Sequence, residues 1–536
     1  MRMLASGWLL SVLWVAGCSG AVLKHGNGGE SGDDLTSVGG TTKQVDWDSF
    51  VYVGGDADVP TIQAAIAKQV KSSLGALREI GIGIEDRGAL HNLDPAAWTR
   101  DSLNVVDTSG HTTGSVQRVR YHYTDTALVQ NGPDPGAAFS FTMLFGDYSA
   151  DAAALQPACV DEATDADSIW YHYAPRQSAC AALINAETAT INSDLSKLPP
   201  STTPQIPASD ANRRFVGVRG KLTPQAAAPT KYPEYDRLWG FGSDRDKVVV
   251  YAFVGVESNE RDSHDLGAIE YQRLQRTLRA KFPKLAVTYT NPQAMLLDFY
   301  VDGSKLGGVT WDDVERWMID DTGYPAAVGS DAQKIEALRQ QVIDRFSERW
   351  IYWDLPATVT LGGQTRQMTV ELRTFWGVED DGTADTKQRA VWRYLEAFWY
   401  GDIFAYAGHS HFGHGPLEPT NYAAANFPDR YQVMLVNSCL SYNYYDLDFI
   451  AMHPEGSRNL EVVMNGLPAY WNGMGESTAD YLIALLDGSN KSWAQLLDAM
   501  RINEPWGESN YEPMRGVNGE LDNVFDGSKT PITVAY

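Results

Sequence analysis

The sequence predicts an α/β fold: a mostly parallel sheet sandwiched by helices over residues 245–536, preceded by an α+β domain over residues 45–235. Three observations predict it. From about residue 245, apolar runs of four to seven residues alternate with segments of helical periodicity, the pattern of strands joined by crossover helices. The runs within Lys247–Val254, Ile403–Ala407 and Val433–Val436 are apolar at consecutive positions, as strands buried on both faces must be. Before residue 235, segments such as Gln117–Tyr123 alternate apolar with polar residues, the pattern of strands with one face in water.

The chain begins with Arg2 and an apolar stretch, Leu4–Ala16, shaped like a secretory signal and short for a bilayer span. It ends in Val15-Ala16-Gly17-Cys18. This resembles the bacterial lipobox, which implies a signal over residues 1–17, lipidation of Cys18 and anchoring to the cell envelope. Ser19 after the cysteine fits outer-membrane sorting. An ordinary signal peptide with an incidental cysteine is the alternative. Residues 18–44 are rich in Gly, Ser, Thr and Asp and read as a flexible tether.

In the α+β region, Thr61–Ile80 has helical periodicity, while Phe139–Phe145 and Ser168–Tyr173 read as strands. His122 and His172 fall inside Tyr-His-Tyr alternations and read as sheet-surface residues. Cys159 and Cys180 lie 21 residues apart. In an exported protein they form a disulfide, closing a loop worth about 3 kcal/mol of chain entropy. With Cys18 taken by lipid, Cys439 is left over, and an unpaired cysteine in an exported protein calls for a role. Burial as a small hydrophobe is the plain one.

From residue 245 the order is strand Lys247–Val254, helix Leu266–Phe282, strand Leu285–Tyr289 and helices Trp311–Ile319 and Ala332–Trp350. Strand Met368–Trp376 follows, then helix Thr386–Trp399 capped by Asp385 or Thr386. Strands Ile403–Ala407, Val433–Val436 and Leu467–Trp471 and helices Thr478–Leu486 and Trp493–Ile502 complete the series.

Two of these strands end in reactive residues: Ile403–Ala407 leads to Gly408-His409-Ser410, and Val433–Val436 to Asn437-Ser438-Cys439, thirty positions later. Parallel sheets present reactive groups at the carboxyl ends of their strands. A histidine and a cysteine delivered to one edge can form a thiolate–imidazolium pair.

The arrangement resembles the caspase-haemoglobinase-like fold of caspases, legumains, clostripain, separase and gingipains, closest in flavour to gingipains, over roughly residues 245–505. There a hydrophobic strand ends in His-Gly and a second in Ala-Cys. Here Ser410 stands for the glycine and Ser438 for the alanine. The resemblance implies a cysteine endopeptidase in which Cys439 attacks, His409 holds the thiolate and protonates the leaving amine, and the backbone N–H groups of Ser410 and Cys439 receive the oxyanion. It further implies an acid orienting the histidine, for which Glu379, Asp380 and Asp381 are candidates. Asp446 and Asp448, just after the cysteine strand, are candidates for a pocket favouring a basic side chain.

Three rivals use the same letters. His409, His411 and His414 form His-x-His-x-x-His, a conceivable zinc set. Gly408–Phe412 resembles the nucleophile elbow of α/β-hydrolases, with His453 the base left for it, but Pro416 and Pro419 oppose the helix that must follow. A peptidase-like protein that has lost activity and binds other proteins is the third. The formal charge of −25, without a Lys/Arg cluster, argues against a nucleic-acid partner. It leaves room for calcium, though no EF-hand-type loop supports one, and the peptidase chemistry needs no cofactor. Protein or peptide substrates and a membrane reached through a lipid anchor are the partners expected.

Overall fold

The computed structural model describes residues 35–84, 94–132, 136–160, 166–196, 204–226, 229–257, 261–291, 296–411, 415–500 and 512–536. Cys18 and residues 1–34 lie outside them, as does His414. Strands begin earlier than the expected end of the tether: β1 is Ser37–Val38 and β2 is Gly40–Gly54. Residues 37–38 and 40–44 are therefore strand, with Val38 and Thr42 buried and Thr41 and Gln44 exposed.

The first sheet also holds β3 (Ile82–Ile84), β4 (Thr99–Val106), β5 (Thr112–Gln130), β6 (Ala138–Leu144), β7 (Gln205–Pro207) and β8 (Phe215–Pro224). Its order is β6-β8-β2-β5-β4-β7, with β3 added on β5. The long strands β2 and β5 pair antiparallel from Gly40↔Gln130 to Gly54↔Val116. Val119, Tyr121 and Tyr123 turn inward, while His122 faces water beside Asp48, as alternation requires. Helices Val59–Lys71 and Ser73–Arg78 cover the inner face with Ile62, Ile66, Val70, Leu74 and Leu77. Ser168–Tyr173, expected as a strand, holds instead the short helix Ile169–His172, so His172 is not on a sheet surface. Its buried pair is the consecutive Ile169 and Trp170, which a period of two cannot produce. Cys159 and Cys180 form the disulfide, joining helices Ala152–Cys159 and Ser178–Ala186.

The second sheet is built from β9 (Lys247–Val254), β10 (Ala286–Asn291), β13 (Arg349–Leu361), β14 (Gln364–Trp376), β15 (Ile403–Ala407), β16 (Gln432–Asn437), β17 (Leu460–Asn465), β18 (Arg515–Asn518) and β19 (Thr533–Ala535). A separate hairpin, β11 (Tyr300–Val301) and β12 (Ser304–Lys305), lies between β10 and β13 in the chain. The order is β1-β18-β17-β16-β15-β9-β14-β13-β10, with β19 on β13.

The sheet is mixed rather than mostly parallel. Only its centre, β14-β9-β15-β16-β17, is parallel, while β18, β13 and β10 pair antiparallel. The reason is local. Gly362 and Gly363, both at positive φ, make the two-residue turn of a tight hairpin, which returns β13 directly alongside β14. Arg349–Leu361 follows helix Ala332–Phe346 at once, so Trp350 is the second residue of a strand and not the end of that helix. Leu467–Trp471 is not a strand, since the chain has already paired as β17 and Pro468 has no N–H to offer a ladder.

Alternate residues of the parallel strands feed two cores. Tyr251, Phe253, Phe404, Tyr406, Met434 and Val436 face one side, packed with Tyr394 and Phe398 of helix Ala384–Tyr400 and Phe449 of helix Asp446–Met452. Val248, Val250, Ala252, Ile403, Ala405, Val433 and Leu435 face the other, under helices Leu266–Lys281, Ala332–Phe346 and Met474–Leu486. The first core does not stop at the domain boundary the composition implies. It runs on into Trp47, Tyr121, Leu128 and Trp170 of the N-terminal sheet and its helices. Among the described residues no helix is long and apolar enough to cross a membrane.

Candidate active site

The first strand of the parallel set, β9, lies inside it. The chain goes next to β14 on one side and then to β15 on the other. The carboxyl ends of β9 and β15 thus flank a topological switch point, where helices diverge to opposite faces and leave a crevice. Ala407 pairs with Val254 of β9 and with Asn437 of β16. His409 and Cys439 each lie two residues beyond that register, in the turns that follow neighbouring parallel strands about 4.8 Å apart. Gly408, just before His409, leaves no room for a Cβ, which would meet the Tyr406 hydroxyl.

One ring nitrogen of His409 is spoken for: Nε2 lies 2.7 Å from the backbone carbonyl of Glu257, just beyond β9. A carbonyl only accepts, so the bond assigns the proton to Nε2 and leaves Nδ1 as the basic nitrogen. The ring packs edge-on against Trp471, centroids 5.1 Å apart, and against His411 at 5.4 Å. Beneath the turn, the Tyr406 hydroxyl donates to the His409 carbonyl at 2.6 Å and also contacts the Glu379 carboxyl, which Tyr394 holds from the other side. Burial pushes the Glu379 carboxyl up to about 7, against the lowering effect of the two tyrosines.

Glu379 therefore braces the backbone of the histidine turn and does not orient the ring. Asp381 accepts from Thr383 N (2.9 Å) and from the Thr383 and Thr386 hydroxyls at 2.6 and 2.9 Å, which hold its carboxyl below the ordinary range. It secures the start of helix Ala384–Tyr400, whose cap is Thr383 rather than Asp385 or Thr386. Asp380 accepts from Gly382 N at 2.9 Å. The group that meets the imidazole is thus a backbone carbonyl, for which no side-chain type in the sequence gives a signal.

Cys439 is half-buried, and its thiol donates to the Ala469 carbonyl at 3.3 Å. Its turn is rigid. Asn465 Nδ2 donates to the Ser438 carbonyl (3.0 Å) and to Asn437 Oδ1 (3.1 Å), and Asn437 Nδ2 reaches Ser477 Oγ at 3.0 Å. Leu440 adopts a left-handed conformation, φ 53°, and its N–H bonds the Leu467 carbonyl at 3.2 Å. The loop that supplies Ala469 and Trp471 is pinned at its far end by Glu270, whose buried carboxylate accepts from Gly473 N and Gly475 N at 3.0 and 2.7 Å.

Ser410 is buried, and its carbonyl accepts from the Tyr445 hydroxyl. Its hydroxyl lies 3.4 Å from that of Tyr171, brought in by the N-terminal region. The left-handed residue of this turn is His411 (φ 46°), not Ser410, so the backbone at 410 does not need glycine. Asp446 and Asp448 open helix Asp446–Met452, which packs against β17.

His453, the only base left to a serine mechanism, is far from Ser410. It sits at the amino end of β16, Nε2 2.9 Å from Gln432 Oε1 and Nδ1 2.9 Å from Pro454 O, some 17 Å along the strand from the histidine turn. Among the described residues no three His, Cys, Asp or Glu side chains are grouped to hold a metal. The Nε2 of His409 already has its partner. Compared with known proteins, the chain matches no family model, no curated protein and no solved structure.

Proposed function

We propose that the protein is an exported cysteine endopeptidase with a caspase- or gingipain-like catalytic sheet, anchored to the bacterial envelope, in outer-membrane fashion, by lipid on Cys18. The observation that carries the reading is an imidazole whose Nε2 is fixed by the Glu257 carbonyl and a half-buried thiol, each two residues past the last paired residues, Ala407 and Asn437, of neighbouring parallel strands. Such a histidine has Nδ1 available to take the thiol proton as Cys439 leaves the Ala469 carbonyl. The thiolate adds to the scissile carbonyl, forming a C–S bond, and the oxyanion is received by the N–H groups of Ser410 and Cys439. The C–N bond then breaks as His409 returns the proton to the leaving amine. Water, deprotonated by the same imidazole, hydrolyses the thioester to free acid and thiol. No cofactor enters these steps. Asp446 and Asp448 would favour a basic side chain on the substrate.

A second reading, an inactive relative that binds proteins at this edge, draws on the thiol's bond to Ala469. Digestion of a denatured-protein peptide library, read by mass spectrometry, separates the two. The peptidase reading expects new termini with the wild type and none with Cys439→Ala at unchanged melting temperature. Cleavage equal in both proteins, or absent from the wild type, contradicts it.

A further inference from the structure

The carbonyl that meets His409 belongs to a loop, and a loop carbonyl aims reliably only if its residue is held. Asp265, 2% exposed, precedes helix Leu266–Lys281. Its Oδ2 accepts from Glu257 N at 2.8 Å, and its Oδ1 accepts from Ala268 N, capping the helix, at 2.9 Å. One carboxylate thus ties the loop after β9 to the start of the helix. The backbones touch there: a Cβ on Gly267 would lie 2.0 Å from the Gly255 carbonyl, so only glycine fits. Arg339 braces the same turn, its Nη2 donating to the Ser263 carbonyl at 2.8 Å.

We propose that Asp265 is the positioning residue of the His409–Cys439 pair, acting through the Glu257 residue; this rests on the peptidase reading. A carboxylate accepting the Glu257 N–H anchors that residue, and with it the direction of the carbonyl that meets Nε2 and keeps a proton there. Nδ1 is then kept bare for the thiol, and the imidazolium that forms is stabilised at Nε2. Charged groups around the arrangement include Glu257 itself, Asp262, whose carbonyl accepts from Asp265 N, Arg339 and Glu336, which bond Ser263, His264, which pairs with Glu336, and Glu379, which approaches Gly255.

Two substitutions separate this role from capping. Asp265→Ser keeps a helix cap but is too short to span to Glu257. Asp265→Asn is isosteric, and its single acceptor oxygen can serve only one of the two N–H groups. Iodoacetamide labelling of Cys439 in the full chain, followed across pH 5–9 beside wild type and His409→Ala, reads the result. The expected outcome is labelling at pH 6.5 slowed about tenfold in one or both variants and half-maximal labelling shifted to higher pH, with a melting temperature within a few degrees of wild type. Profiles in both variants that superimpose on wild type, while His409→Ala slows labelling, overturn the role of Asp265 and leave the peptidase reading standing. Labelling unaffected by His409→Ala overturns both.

Discussion

The two ends of the parallel central strands place similar residues in opposite settings. At the amino end, Asp402 is buried and saturated: it accepts from Val249 N at 2.8 Å, from Arg430 Nε at 3.2 Å and from Arg245. Gln432 spends its amide on the Phe398 carbonyl at 2.8 Å; its oxygen faces His453 Nε2 and the Pro454 carbonyl faces Nδ1, so the single N–H of the neutral ring serves one of the two. Burial lowers His453 to about 4, so it stays neutral through the physiological range. At the carboxyl end, one nitrogen of His409 is held by the Glu257 carbonyl, and Cys439 in the next turn is half-buried. The difference teaches that residue type alone does not tell two histidines apart. What separates them is that both ring nitrogens of His453 face carbonyls inside the fold, whereas one nitrogen of His409 does.

Substitutions that break this contrast have graded consequences. The largest effect is expected at the carboxyl end: His409→Ala or Cys439→Ala should lower peptide cleavage at least about a thousandfold with little change in melting temperature. The amino end should give the reverse. Asp402→Ala leaves two guanidinium groups without their buried carboxylate and should cost about 3 kcal/mol of stability, seen as a lower midpoint in denaturant, while the rate of Cys439 alkylation below that midpoint stays at the wild-type value. Loss of the Cys159–Cys180 bond, by paired substitution to Ser, should cost a similar or slightly smaller amount, up to about 3 kcal/mol for its loop. It falls on the N-terminal region and should be visible as earlier proteolysis there.

The smallest effects sharpen the comparison through pH. His453 titrates lower in the fold than in the unfolded chain, so its contribution is present above about 6.5 and is lost as pH falls toward 4. Glu379 titrates higher in the fold, so its contribution is present below the ordinary carboxylate range and is lost as pH rises through about 7. His453→Gln should therefore flatten the acid side of a stability–pH curve, and Glu379→Gln should flatten the slope between about pH 4.5 and 7, each by about 1–2 kcal/mol. Thermal melts across pH 4–8 check both, and slopes of the same sign would contradict the assignment.

Much of the half that carries His409 and Cys439 was legible in the sequence because parallel strands advertise themselves as short unbroken apolar runs. β9, β15 and β16 were readable for that reason, and His409 and Cys439 with them. β13 was hidden: it starts three residues after a helix ends, and its Trp350 extends that helix's apolar pattern. The Gly362-Gly363 pair was the available hairpin signal. The partner of His409 was not legible, since the Glu257 carbonyl belongs to the backbone and Asp265 acts on it by position alone. Packing across residue 235 was not legible either. Composition changes there, but Tyr171 and Trp170 reach across it into the same core that carries Tyr444.

The central claim is that Cys439 is activated by His409. Iodoacetamide at pH 6, with the adduct mapped to Cys439 by mass spectrometry in wild type and His409→Gln, tests it most directly. The account predicts rapid labelling that falls about tenfold or more without the imidazole, because only a paired thiolate reacts well below the free-cysteine range. Slow labelling of equal rate in the two proteins would contradict it and leave Cys439 as a half-buried thiol bonded to Ala469.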